Sequence, residues 1–143
     1  GSINVVPGRC LFSLDLRAPT DAQRDAMVTD VLDALARIAQ RRGLRYTVEA
    51  SMRAAAAPSA PALQHHWERA VDALGLPVFR MPSGAGHDAM KLHAIMPQAM
   101  LFVRGQNSGI SHNPLESTTH NDMQLAVDAF TQVLHQLAQE TQP

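Results

Sequence analysis

AAAAPSAPA, Ala54 to Ala62, is the stretch that divides the chain. It carries no side chain large enough to seed a core, and Pro58 and Pro61 restrict the residues before them. It reads as a linker or domain crossing at 54–62, and the hydrophobic pattern differs on its two sides.

Upstream, Cys10, Phe12, Leu14 and Leu16 alternate with Leu11, Ser13, Asp15 and Arg17, the period of a half-buried strand. Arg17 then lies on the polar face and Cys10 on the core face. Thr20 with Gln23 resembles a capping box, and Val28, Val31, Leu35 and Ile38 recur at helical spacing until Arg41–Arg42–Gly43 closes the helix. Leu44, Tyr46, Val48, Ala50 and Met52 alternate again. Strand, helix and strand over 1–53 predict half of a small α+β sandwich.

Downstream, Leu63, Trp67, Ala70, Val71 and Leu74 predict a helix ended by Gly75, and Leu76 to Met81 a short strand. The turn PSGAG leads into a helix from about His87 to Met96, ended by Pro97. Ala99 to Val103, AMLFV, suits a strand buried on both faces. Leu125, Val127, Phe130, Val133, Leu134 and Leu137 stripe a last amphipathic helix. Over 63–143 these elements predict an α/β layer.

Bulk composition sets outer bounds. In 143 residues, 45% hydrophobic but only 4% aromatic, an aliphatic core has ample material. A formal net charge of −1 offers no basic field to a nucleic acid. No apolar run approaches the roughly 20 residues a membrane span needs, so neither nucleic acid nor membrane is an expected partner. One cysteine, Cys10, allows no internal disulfide and suits a reducing, cytoplasmic setting. The chain opens Gly1–Ser2 without Met, which reads as a tag scar or an internal cut and leaves a leader open.

Three places could carry chemistry. In PSGAGHDAM, Pro82 to Met90, Gly84 and Gly86 would let backbone amides approach a ligand, beside His87 and Asp88, a proton carrier and a carboxylate. The plainer alternatives are that glycine serves the turn's geometry and that Asp88 sits in a first helical turn, where the dipole favours it. In GISHNPLE, Gly109 to Glu116, His112 follows a predicted buried strand, the edge of an α/β sheet where ligands bind, or it is simply solvated. Glu116 could orient a neighbour or cap the next helix. Arg17, with Asn4 earlier in the segment, could grip a carboxylate, or stand exposed on a sheet's polar face. His65 and His66 are adjacent on a helix and make a poor chelate, while His93, His120 and His135 read as surface.

Together NVVPGRCLFSLDLR (Asn4 to Arg17), PSGAGHDAM and AMLFVRGQNSGISHNPLE (Ala99 to Glu116) resemble the hydantoinase/carbamoylase family of amidases. That family comprises N-carbamoyl-L-amino acid hydrolases and allantoate amidohydrolases, relatives of the dinuclear-zinc aminopeptidases. The resemblance implies an α/β fold: the C-terminal part of an aminopeptidase-like catalytic domain plus half of an α+β lid or dimerisation domain. It implies His112 as a metal ligand, Asn4 and Arg17 on the substrate's carboxylate side, Gly86 as backbone lining the pocket, and His87 as a catalytic assistant.

It further implies two divalent ions, zinc or manganese and cobalt, that activate a water against the carbamoyl carbon of a small carbamoyl amino acid or ureide, in a homodimeric parent enzyme. The family's other ligand motifs do not occur between Gly1 and Pro143. The chain is therefore expected to be an inactive fragment without tightly bound metal, and its open sheet edge invites self-association. Ser108 stands where many members have glycine, and Met90 where several allantoate-type members have glutamine, which favours a carbamoyl amino acid. Two competing readings are a complete non-catalytic α/β binding or dimerisation module, and a mononuclear hydrolase in which His87, Asp88 and His112 converge.

Overall fold

The computed structural model describes residues 3–140. They form two compact units, Gly1–Ala56 and Ala57–Pro143, divided within the alanine-rich stretch.

The first unit is built on helix α1, Asp21–Arg42. Thr20 starts it in an extended conformation, its hydroxyl accepting the Gln23 amide at 3.3 Å. Gly43 ends it at φ 63°, a left-handed conformation that glycine adopts without steric cost. There the Gly43 amide reaches the Gln40 carbonyl and the Leu44 amide the Ala39 carbonyl at 2.9 Å, a Schellman closure. Residues 53–56 are tied back onto the first turns of α1. Asp21 Oδ1 accepts the Ala56 amide at 2.9 Å and Arg24 Nη1 at 2.6 Å. Arg24 also donates to the Ala54 carbonyl, and Arg53 Nη2 to Asp25 Oδ2 at 2.7 Å.

In the second unit α2, Pro61–Ala73, packs against α4, His120–Glu140. Pro61 takes the first helical position, where its missing N–H costs nothing. Gly75, at φ 70°, repeats the Schellman closure through Gly75 to Asp72 and Leu76 to Val71. Thr119 caps α4 by accepting the Asp122 amide at 3.0 Å. Ala70, Ala129 and Val133 form the buried seam, with Trp67, Leu74, Leu101 and Leu137 against it. Two alanines at the crossing let the helix axes approach closely, and Trp67 stacks on Phe130 beside them with ring centroids 5.9 Å apart. A short helix α3, Asp88–Leu92, and a 3-10 turn, Asn107–Gly109, lie between.

The strand expectations need correction. Among the described residues none belongs to a strand, so 10–17, 44–52, 76–81 and 99–103 are irregular chain. Alternation marks a face that could be buried, but a strand exists only through ladder hydrogen bonds to a neighbour, and these segments have none. Their apolar faces stand open: Phe12 is 71% exposed and Val48 56%. Cys10 is likewise exposed rather than on a core face. The AMLFV run is not buried on both faces, since Phe102 and Val103 are exposed and Leu101 alone joins the helical core. The third helix is shorter than the span expected to Met96, closing at Leu92.

The alanine-rich stretch, where the two units divide, makes contacts of its own. Buried Gln98 donates from Nε2 to the carbonyls of Ala57 and Pro58 at 3.3 and 3.2 Å, and its main-chain carbonyl accepts the Ala60 amide at 2.7 Å. Among the described residues no helix is long and apolar enough to cross a membrane.

Candidate functional site

In the first unit, Asn4 lies in an exposed turn, and Arg17 lies in the irregular segment before α1. Arg17 is paired two residues back along the chain: Nε and Nη2 both donate to Asp15 Oδ2, at 2.9 and 2.5 Å. This hydrogen-bonded pair holds the Asp15 carboxyl below its ordinary range and raises the guanidinium. The edge of the fork turned to Asp15 is one that grips a carboxylate in two-point fashion. An incoming carboxylate therefore competes with Asp15 for it.

In the second unit, Pro82 to His87 form the turn before α3. Neither Gly84 nor Gly86 is left-handed, so the turn does not need glycine for φ. A β-carbon at Gly84 would meet open space, and one at Gly86 would touch Met90 Sδ at an ordinary 3.5 Å. The glycines leave the backbone uncovered. His87 caps α3 by its extended backbone, φ −131° and ψ 164°, and its ring stands edge-on to Phe102 at 6.4 Å. Its Nε2 meets Ser83 Oγ at 2.8 Å. Sequence reasoning passed over this partner, although serine four residues before histidine across a tight turn is the available signal. Asp88 sits in the first turn of α3, as the plainer reading has it.

His112 lies on an exposed loop with an unusual main chain. Its φ is 56°, and Asn107, Ser108 and Gly109 precede it at 50°, 61° and 70°. Left-handed conformations are uncommon for non-glycine residues and persist where surrounding contacts over-determine them. Here those contacts are visible. The His112 amide donates to Glu116 Oε2 at 2.7 Å, Leu115 N to Asn113 Oδ1 at 2.9 Å, and Asn107 Nδ2 to the Leu115 carbonyl at 2.7 Å. Gln106 N and Oε1 engage the carbonyl and hydroxyl of Ser117 at 2.8 and 2.9 Å. At Gly105 a β-carbon would lie 3.3 Å from Gly109 Cα, a tight contact that a side chain there would press on.

A model of Peptidase family M20/M25/M40 matches residues 2–136. The chain belongs to this family. Among its M20 relatives, the N-carbamoyl-L-amino acid amidohydrolase of Geobacillus stearothermophilus is 37% identical over 139 residues, 97% of this chain and 34% of that protein. The allantoate amidohydrolase of Bacillus subtilis is 33% identical over 94% of this chain and 32% of its own length. The allantoate deiminase of Arabidopsis thaliana is 33% identical over 92% of this chain and 26% of its own. The chain thus spans between about a quarter and a third of the length of these relatives.

The residues in hand do not make a metal centre of the kind an M20 hydrolase would need. Among the described residues no three His, Cys, Asp or Glu side chains converge, and a catalytic zinc takes three protein ligands. The carboxylate nearest His112 in sequence, Glu116, is turned to the His112 main chain. His87, Asp88 and His112 accordingly do not form the mononuclear centre considered above.

Proposed function

We propose that this chain is part of an amidohydrolase that cleaves the carbamoyl C–N bond of N-carbamoyl-L-amino acids. The observation that carries this reading is the 37% identity, over 97% of the chain, to a relative named for that activity. Arg17 and Asn4 hold the substrate's α-carboxylate, Gly86 lines the pocket with its backbone, and His87 assists at the reacting group. His112 supplies one ligand to divalent metal, the remaining ligands coming from outside this chain. With one such ligand, the chain alone neither holds the metal tightly nor turns over substrate, and its parent works as a cytoplasmic homodimer.

The relatives named for allantoate support a second reading, a ureide substrate. Met90, at the position where several allantoate-type members carry glutamine, favours the carbamoyl amino acid.

A chimera separates the two. This chain replaces the matched 139 residues of the Geobacillus relative, and the protein is supplied with zinc, manganese or cobalt. Hydrolysis of N-carbamoyl-L-amino acids, with a raised KM on Arg17→Ala, is expected. Turnover confined to allantoate would move the assignment to the ureide. Turnover by the 143-residue chain alone would overturn its dependence on outside ligands.

A further inference from the structure

The Ser83–His87 contact fixes more than a distance, because the serine has a single hydrogen to give. Three groups surround its Oγ: the Ala85 amide at 3.2 Å, the Ala85 carbonyl at 3.1 Å and His87 Nε2 at 2.8 Å. The amide is always a donor and the carbonyl always an acceptor. If the hydroxyl hydrogen goes to His87 Nε2, two oxygens face each other at 3.1 Å with no proton between them. If it goes to the Ala85 carbonyl, both lone pairs of Oγ accept, one from the Ala85 amide and one from an Nε2–H. Only the second arrangement satisfies all three contacts.

We propose that Ser83 is a positioning residue for His87, holding the neutral imidazole as the Nε2–H tautomer and leaving Nδ1 as its basic nitrogen. Among the described residues Nδ1 has no hydrogen-bond partner, and Phe102 limits the ring's rotation from its edge. Nδ1 is then the atom of His87 that takes or shares a proton with substrate, and Ser83 acts on the reaction only through it. This rests on the role given to His87 above.

The test reads the tautomer directly, by nitrogen-15 spectra of the imidazoles in the 143-residue chain above about pH 8, where histidine is neutral. The His87 signals are assigned by their loss in His87→Gln. A free imidazole populates both tautomers with Nε2–H the major one. The expected result is that the Nδ1–H form is suppressed about fivefold by a hydrogen bond of ordinary strength, returns in Ser83→Ala and is suppressed again in Ser83→Thr. Equal mixtures in the unaltered chain and in Ser83→Ala, or a dominant Nδ1–H form, would overturn the proposal. Should Ser83→Ala not fold, the tautomer of the unaltered chain and of Ser83→Thr still decides. The measurement uses neither metal nor substrate, so an inactive chimera with the expected tautomer refutes the amidohydrolase reading alone.

Discussion

The carboxylate of Glu116 accepts the backbone amide of His112 at 2.7 Å, so the acid nearest in sequence to the candidate ligand holds that residue's main chain rather than its imidazole. This contact steadies a left-handed histidine, φ 56°, and fixes where the side chain leaves the loop. Removing the acceptor in Glu116→Ala should speed hydrogen exchange at the His112 amide roughly threefold, the effect of one exposed hydrogen bond. Glu116→Gln keeps an acceptor oxygen and should stay close to the unaltered rate. Equal exchange in all three chains would show that the contact does not constrain the loop.

Ser108 pays a conformational cost at φ 61° and ψ 26°. A left-handed conformation costs a non-glycine residue about 1–2 kcal/mol, and glycine's greater freedom in the unfolded chain returns about 0.5–1 kcal/mol of that. Ser108→Gly should therefore stabilise the second unit by about 0.5–1 kcal/mol, read from denaturant midpoints. A loss of stability would mean that the serine makes a compensating contact.

Helix ends were legible in the sequence because capping is local chemistry. Thr20 with Gln23, Gly43 and Gly75 each act within four residues of themselves, and each stands where its pattern placed it. The cap of α4 is equally local, and Thr119 three residues before Asp122 was its unread signal. Strands were not legible, because pairing is a property of two segments. Phe12 and Leu14 alternate as a strand face should, yet no described segment pairs with them. The paired adjacency of His65 and His66 hid their difference. One helical step, about 100° of rotation, leaves His65 exposed and turns His66 into the seam between α2 and α4.

His66 is 4% exposed and locks the far end of that seam. Its Nε2 lies 3.2 Å from Glu140 Oε2, and its Nδ1 lies 2.8 Å from Arg69 Nη2. Arg69 Nε donates to Gln136 Oε1 at 3.1 Å, completing a link from α2 to the last turns of α4. His66 Nδ1 itself lies 3.0 Å from Gln136 Oε1, so ring, guanidinium and amide meet at one point. His66→Ala removes a buried ring together with its links to Arg69, Gln136 and Glu140, and should cost about 2 kcal/mol. Trp67, the chain's single tryptophan, lies against the adjoining core, so its fluorescence during denaturation reads this unit directly. A cost below about 0.5 kcal/mol, typical of a surface substitution, would show that the link adds nothing to helix packing.

The first unit should loosen in acid at the joint between α1 and residues 53–56. The Ala56 amide, with help from Arg24, holds the Asp21 carboxyl below the ordinary aspartate value of 3.8. A carboxyl depressed in the folded state contributes stability that is fully present above its unfolded value and is lost as pH falls through the folded value. The joint should therefore persist at pH 5 and open in a window beginning near 4 and ending below 3.8. The Ala56 amide resonance, which reports its acceptor's charge, should titrate with a midpoint below 3.8. In Asp21→Asn that titration should vanish, and Ala56 should exchange faster at every pH. A midpoint at or above 3.8 would mean that the amide bond does not favour the charged carboxylate, and that the segment is held to α1 by the Arg24 and Arg53 contacts instead.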